Sequence, residues 1–213
     1  MIIRPEDVNE YSLPRISQPQ ILFPYVSRGR TLAFLNEAKV SAPDMFYCII
    51  CNEPWILISY INSSAFRLAE ELISEQYNGV QVVDLEAIPV FYPVKITLSQ
   101  KQLLTQRFLA LSSSVESRIK AEETLESLKS TKKGLLGILE LEARKMLEEA
   151  IEAERKAQRE LDEAVYDILG LTKEERRQVE EGLKDLQELG ELEQISIKRF
   201  VKLRFIDIHK LRA

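Results

Sequence analysis

Histidine occurs once and cysteine twice in 213 residues, and glycine only seven times. One histidine leaves no Ser/His/Asp set, and two cysteines are too few for a disulfide framework, so a reducing cytoplasm is the expected setting. No apolar run approaches the roughly 18 residues that a membrane span needs, and Met1–Asp7 lacks the apolar core of a signal peptide. Neither a P-loop nor a glycine-rich GxGxxG turn is present. The chain is expected to be soluble, with no metal and no self-sufficient chemistry.

Charge is abundant and nearly balanced. Lys and Arg total 29 against 34 Asp and Glu, a net of −5. Residues 1–98 hold 7 basic and 11 acidic side chains, and residues 99–213 hold 22 and 23. Phosphate neutralisation usually needs a basic face, so this balance argues mildly against nucleic acid as a partner. Residues 195–213 differ, with Lys198, Arg199, Lys202, Arg204, Lys210 and Arg212 against Asp207 alone. Either a solvated tail or a phosphate-contacting strip fits that cluster.

Two halves carry different periods. In residues 1–94 short apolar runs alternate with turn residues, which predicts a small mixed α/β domain. Ile21–Val26, Met45–Cys51 and Val80–Leu85 read as strands. Pro54 suits the first turn of a helix. The spacing of Ile58, Ile61, Ala65, Leu68 and Leu72 predicts one helix from Trp55 to about Ser74, ended by Tyr77-Asn78-Gly79. Residues 95–213 read as a helical region, a long hairpin and a capped helix followed by a basic C-terminal segment at 191–213 that fits a helix, a strand or a tail, giving an α+β chain with a long-helix C-terminal region. On Leu135–Leu169 the positions Ala143, Met146, Ala150, Ala153, Ala157, Leu161, Ala164 and Ile168 form an alanine-rich seam, expected to pack along a helix at Ser99–Leu128 as a hairpin or coiled coil. Gly170 reads as a helix stop. Thr172 with Glu175 forms a capping box for a last helix that Gly190 should end.

Two motifs are decoys. Cys48 and Cys51 have CxxC spacing, but residues three apart on a strand point to opposite faces, so buried structural cysteines are expected. Asn52-Glu53-Pro54-Trp55 has the look of an amino-methyltransferase loop, in which an amide and an aromatic ring hold a flipped base. Glu53 disturbs that pattern, and no cofactor-binding turn precedes it, so a connecting turn is expected.

Trp55-Ile56-Leu57-Ile58-Ser59-Tyr60-Ile61-Asn62-Ser63-Ser64-Ala65-Phe66-Arg67 resembles a segment of the recognition domains of adenine-specific DNA methyltransferases from restriction–modification systems. Asp84-Leu85-Glu86-Ala87-Ile88-Pro89-Val90 follows it in the family's order, and Ile21–Arg28 is similar to the opening strand. A second stretch, Leu161-Asp162-Glu163-Ala164-Val165 through Leu169-Gly170-Leu171-Thr172-Lys173-Glu174-Glu175, is similar to the family's C-terminal end. The resemblance implies a target-recognition domain at 1–94 and a helical region at 95–213. It implies duplex DNA and a methyltransferase catalytic subunit or domain as partners, with S-adenosylmethionine bound there and none in this chain. A separate specificity subunit, a split-gene product and an excised domain all fit.

Candidate DNA contacts are Arg28 and Arg30 on the loop after the first strand, with solvated arginines the alternative. Ser41, Tyr77 and Asn78 lie on other loops that could border DNA, and Lys198, Arg199, Lys202 and Arg204 on the C-terminal strip. Asn62 and Ser63 match the family pattern, with close helix packing as their other role. The competing reading is a helical interaction or scaffold protein without DNA binding.

Overall fold

The computed structural model describes residues 20–24, 33–36, 46–73, 96–130 and 136–192. The architecture is α+β, with a small antiparallel sheet set against long helices. Strands β1 (Ile21–Pro24), β2 (Phe34–Leu35) and β3 (Phe46–Ile49) pair in the order β2-β1-β3, both pairings antiparallel. Alternation sets the faces, and Ile21 and Phe23 of the central strand are buried. Gln20 ties the sheet's end: its N–H donates to Ile49 O at 3.1 Å, and its side-chain oxygen accepts from Cys51 N at 2.7 Å. Strand β2, only two residues long, is too short to leave an alternating pattern in the sequence. The expected strand at Val80–Leu85 lies outside the described residues.

Helix α1 (Pro54–Ile61) starts with proline in its first turn and buries Ile56, Ile58, Ser59, Tyr60 and Ile61. The single helix expected over Trp55–Ser74 is two: α2 (Ser64–Ile73) begins after a break at Asn62-Ser63. Among the described residues three further helices follow: α3 (Leu98–Ser130), α4 (Leu136–Leu169) and α5 (Lys173–Leu192). Thr97 and Gln100 cap α3 reciprocally, Thr97 N donating to Gln100 Oε1 at 2.9 Å and Gln100 N to Thr97 Oγ1 at 3.3 Å. Gly170 takes φ +68° at the end of α4. Leu171 N reaches Tyr166 O at 3.0 Å and Gly170 N reaches Asp167 O at 3.3 Å, the paired bonds of a Schellman stop. Thr172 and Glu175 then cap α5 as expected, with bonds of 2.8 and 3.3 Å. Gly190 does not end that helix, which runs to Leu192. Interior glycine costs a helix only about 1 kcal/mol, too little to stop it.

Helices α3 and α4 pack side by side as an antiparallel hairpin, Arg107 facing Glu160 near one end and Arg118 facing Glu154 further along. Each is about 50 Å long at 1.5 Å per residue. The α4 seam is offset from the sequence expectation: Met146 and Ala153 are exposed, while Leu147 is half-buried and Glu154 buried. Glu154 is admitted because Arg118 of α3 meets it, Nε to Oε2 at 2.5 Å. The main core joins β1, α1, α2, α3 and α4 through Ile21, Phe23, Ile58, Phe66, Leu104, Phe108, Leu161 and Val165. That cluster crosses the expected boundary between residues 94 and 95. Leu68, Tyr166 and Val179 form a smaller cluster that fastens α5 to α2 and α4.

Candidate functional site

Asn62, Ser63 and Ser64 stand where four elements meet, and each uses its polar atoms differently. Asn62 closes α1. Its amide nitrogen donates to Ile58 O at 2.9 Å and Ala33 O at 3.2 Å, and its side-chain oxygen accepts from Ala33 N at 2.9 Å. One amide therefore pairs with both backbone groups of the residue that leads into β2. Ser63 caps α2, with Oγ accepting from Phe66 N at 3.3 Å and donating to Tyr60 O at 2.7 Å. Ser64 presents its N–H and hydroxyl to the two carboxylate oxygens of Asp162 on α4, at 2.7 and 2.8 Å. Gln158 completes the clamp by donating to Asn62 O at 3.0 Å and Asp162 Oδ1 at 2.9 Å. A carboxylate at the start of α2 also faces the positive end of the helix dipole.

Of the two roles expected for Asn62 and Ser63, DNA contact and close helix packing, the geometry displays the packing role. Asn62 and Ser63 are buried and their polar side-chain atoms are held inside the protein, so a base contact through them would have to break the junction. The remaining candidates, Arg28, Arg30, Ser41, Tyr77, Asn78, Lys198, Arg199, Lys202 and Arg204, lie outside the described residues. Gln158 and Asp162 are clamp residues that the sequence reading does not single out. Asp162 carries a usable signal, because a short carboxylate on the buried side of a helix requires donors.

An open groove of about 390 Å³ lies beside the junction. It is lined by Phe34 and Leu35 of β2, Trp55 of α1, and Phe108, Val115 and Ile119 of α3. Among the described residues Glu116 is the one charged side chain that lines it.

Cys48 lies on β3 and Cys51 just beyond it; both thiols are free and half-buried rather than buried as expected. Burial pushes the Cys51 thiol up, the opposite of an activated thiolate. No group of three or more His, Cys, Asp or Glu among the described residues could hold a metal ion. Burial also raises the phenols of Tyr60 and Tyr166, the latter helped by the nearby Asp162 charge. The Glu154 carboxylate raises the Arg118 guanidinium. These shifts belong to packing, since none faces an open catalytic space. No helix among the described residues is long and apolar enough to cross a membrane. Comparison of the chain with protein-family models, curated proteins and solved structures gave no match.

Proposed function

We propose that this chain is the sequence-recognition part of an adenine-specific DNA methyltransferase of a restriction–modification system. A separate catalytic domain or subunit would bind S-adenosylmethionine and transfer the methyl group, while this chain positions duplex DNA. The observation that supports the reading is the contact between the two stretches that carry the family resemblance. Ser64 in the first binds Asp162 in the second, 98 residues away, and Leu68, just past the first, packs on Tyr166 in the second. Chance likenesses scattered along a chain have no reason to meet as one buried unit. Duplex DNA would be read by Arg28, Arg30, Ser41, Tyr77 and Asn78, not along α4. That helix carries ten carboxylates against five basic side chains, a poor track for phosphates.

The long hairpin, with its alanine-rich and carboxylate-rich α4, favours a second reading, a helical scaffold that binds proteins and not DNA. One experiment separates the two. Binding of the purified chain to random duplex DNA is measured across a salt series, with and without an active methyltransferase encoded beside it. Recognition predicts binding that weakens with salt and tightens with the partner. The slope of log K against log salt, divided by about 0.9, then counts the phosphates neutralised. Absence of binding in both arms would sink the recognition reading and leave the scaffold.

A further inference from the structure

Every arginine among the described residues but one meets a carboxylate. The exception is Arg67, at the end of the first turn of α2. It is half-buried, and its Nε is fully buried with no acceptor among the described residues. Burying part of a charged group without a partner costs the fold, and a cation in the first turn of a helix also opposes the helix dipole. The aliphatic stem gains by packing, but any long side chain would supply a stem. Among the described residues, the charge of Arg67 has no use inside the protein.

The neighbouring carboxylates do not supply a partner. Glu70 and Glu71, three and four positions along α2, form no ion pair with Arg67. Asp162, at the start of α2, is taken by Ser64 and Gln158, and Glu163 by Arg176. Five residues before Arg67, the Asn62 amide is bonded to both backbone groups of Ala33. Arg30, a candidate DNA contact, precedes Ala33 by three residues in the sequence, so the chain tethers it to this end of α2.

We propose that Arg67 contacts a backbone phosphate of the bound duplex. The inference rests on the DNA-recognition reading and adds a residue to it. A phosphate oxygen accepts charge-assisted bonds from a guanidinium, and phosphates are the groups that a DNA-binding surface meets most often. A base edge is a poorer fit, because a half-buried side chain on a helix has little reach into a groove. With Glu70 and Glu71 beside it, Arg67 makes one positioning contact and is not part of a basic track.

The test extends the salt series on the full chain, with the methyltransferase present, to three variants. Arg67→Gln should weaken binding about eightfold at 0.1 M salt, the counterion-release value for one phosphate, and lower the slope of log K against log salt by about 0.9. The loss should be the same on duplexes of unrelated sequence, and Arg67→Lys should keep the slope of the parent. Arg144→Gln, which breaks the pair with Glu140 on α4, should leave the slope unchanged. Thermal melts of Arg67→Gln should be no lower than those of the parent, since the fold does not use the charge. If the parent binds and Arg67→Gln keeps its slope, the phosphate contact is overturned while recognition stands. A loss confined to one sequence would make Arg67 a base contact, and a lowered melt would make its role structural; either result overturns the proposal. If the parent does not bind at all, the recognition reading and the contact fall together.

Discussion

Asp162 is the residue on which most of the junction depends. The residue is 7% exposed, and its carboxylate accepts from the Ser64 N–H, the Ser64 hydroxyl and the Gln158 amide. Removing it leaves three donors without that acceptor, and a hydrogen bond to a charged group contributes about 1.5–3 kcal/mol. We expect Asp162→Ala to lower the unfolding free energy by about 3 kcal/mol, read from urea denaturation, with Asp162→Asn intermediate. A loss under about 1 kcal/mol would show that the clamp is incidental. Tyr166 is the opposite case. Its hydroxyl is buried without a well-formed hydrogen bond, the Ser64 hydroxyl beside it being committed to Asp162. Tyr166→Phe should therefore be neutral or slightly stabilising in the same assay. The phenol is raised above its ordinary value of 10.0 by burial first and by Asp162 second. A proton held in the folded state and released in the unfolded one makes folding less favourable as pH rises past about 10. The stability that Tyr166 contributes is complete below that pH and is lost progressively above it. Alkaline melts of Tyr166→Phe should fall less steeply than those of the parent; parallel curves would remove Tyr166 from the account.

At the scale of the element, the hairpin holds a buried polar layer. Arg118 and Glu154 meet inside the seam, with side-chain exposures of 27% and 5%. A polar pair in an otherwise apolar interface adds little net stability but fixes register, because any slip strands a buried charge. Arg118→Leu should cost about 3 kcal/mol by leaving Glu154 buried, and adding Glu154→Leu should restore most of it. If the double variant stays as unstable as the single one, the layer has a role beyond mutual compensation. The same pair explains why the seam is offset from its sequence pattern. A four-three alternation fits two offsets equally well, and alanine is the natural choice over glutamate for a buried position. Only the facing Arg118 reverses that choice, and no single-helix pattern contains it. The break at Asn62-Ser63 is hidden for a related reason: the apolar period continues across it, while the side-chain caps that end α1 and start α2 are made with Ile58, Ala33 and Phe66. Gly170 is legible because its signal is local. With φ +68° and open space where a Cβ would stand, Gly170→Ala should cost about 1 kcal/mol from backbone strain alone.

For the whole molecule, the sequence conveys the order and type of most elements but not how the halves share a core. Periodicity shows which face of a helix is apolar, and not what covers it. Here Leu104, Phe108 and Leu111 of α3 and Leu161 and Val165 of α4 cover Ile21, Ile58 and Phe66 from the first half. Candidate DNA contacts are legible only as residue types on loops, since reach toward a base depends on geometry that a linear pattern does not contain. The shared core has a consequence for unfolding. Near the body, α3 and α4 pack on the sheet and on α1, whereas toward the free end Ala121, Leu125 and Ala143 are the buried apolar positions. Opening free energy follows local burial, so the hairpin should open from its free end without disturbing the body. Native-state hydrogen exchange should find the slowest amides at Leu104–Val115 and Ala157–Val165, protected by the full unfolding free energy. Amides of 120–128 and 139–150 should exchange by smaller openings that are insensitive to Asp162→Ala. If both groups slow and quicken together under that substitution, the hairpin and the body open as one unit, and the polar layer of Arg118 and Glu154 transmits stability along its whole length.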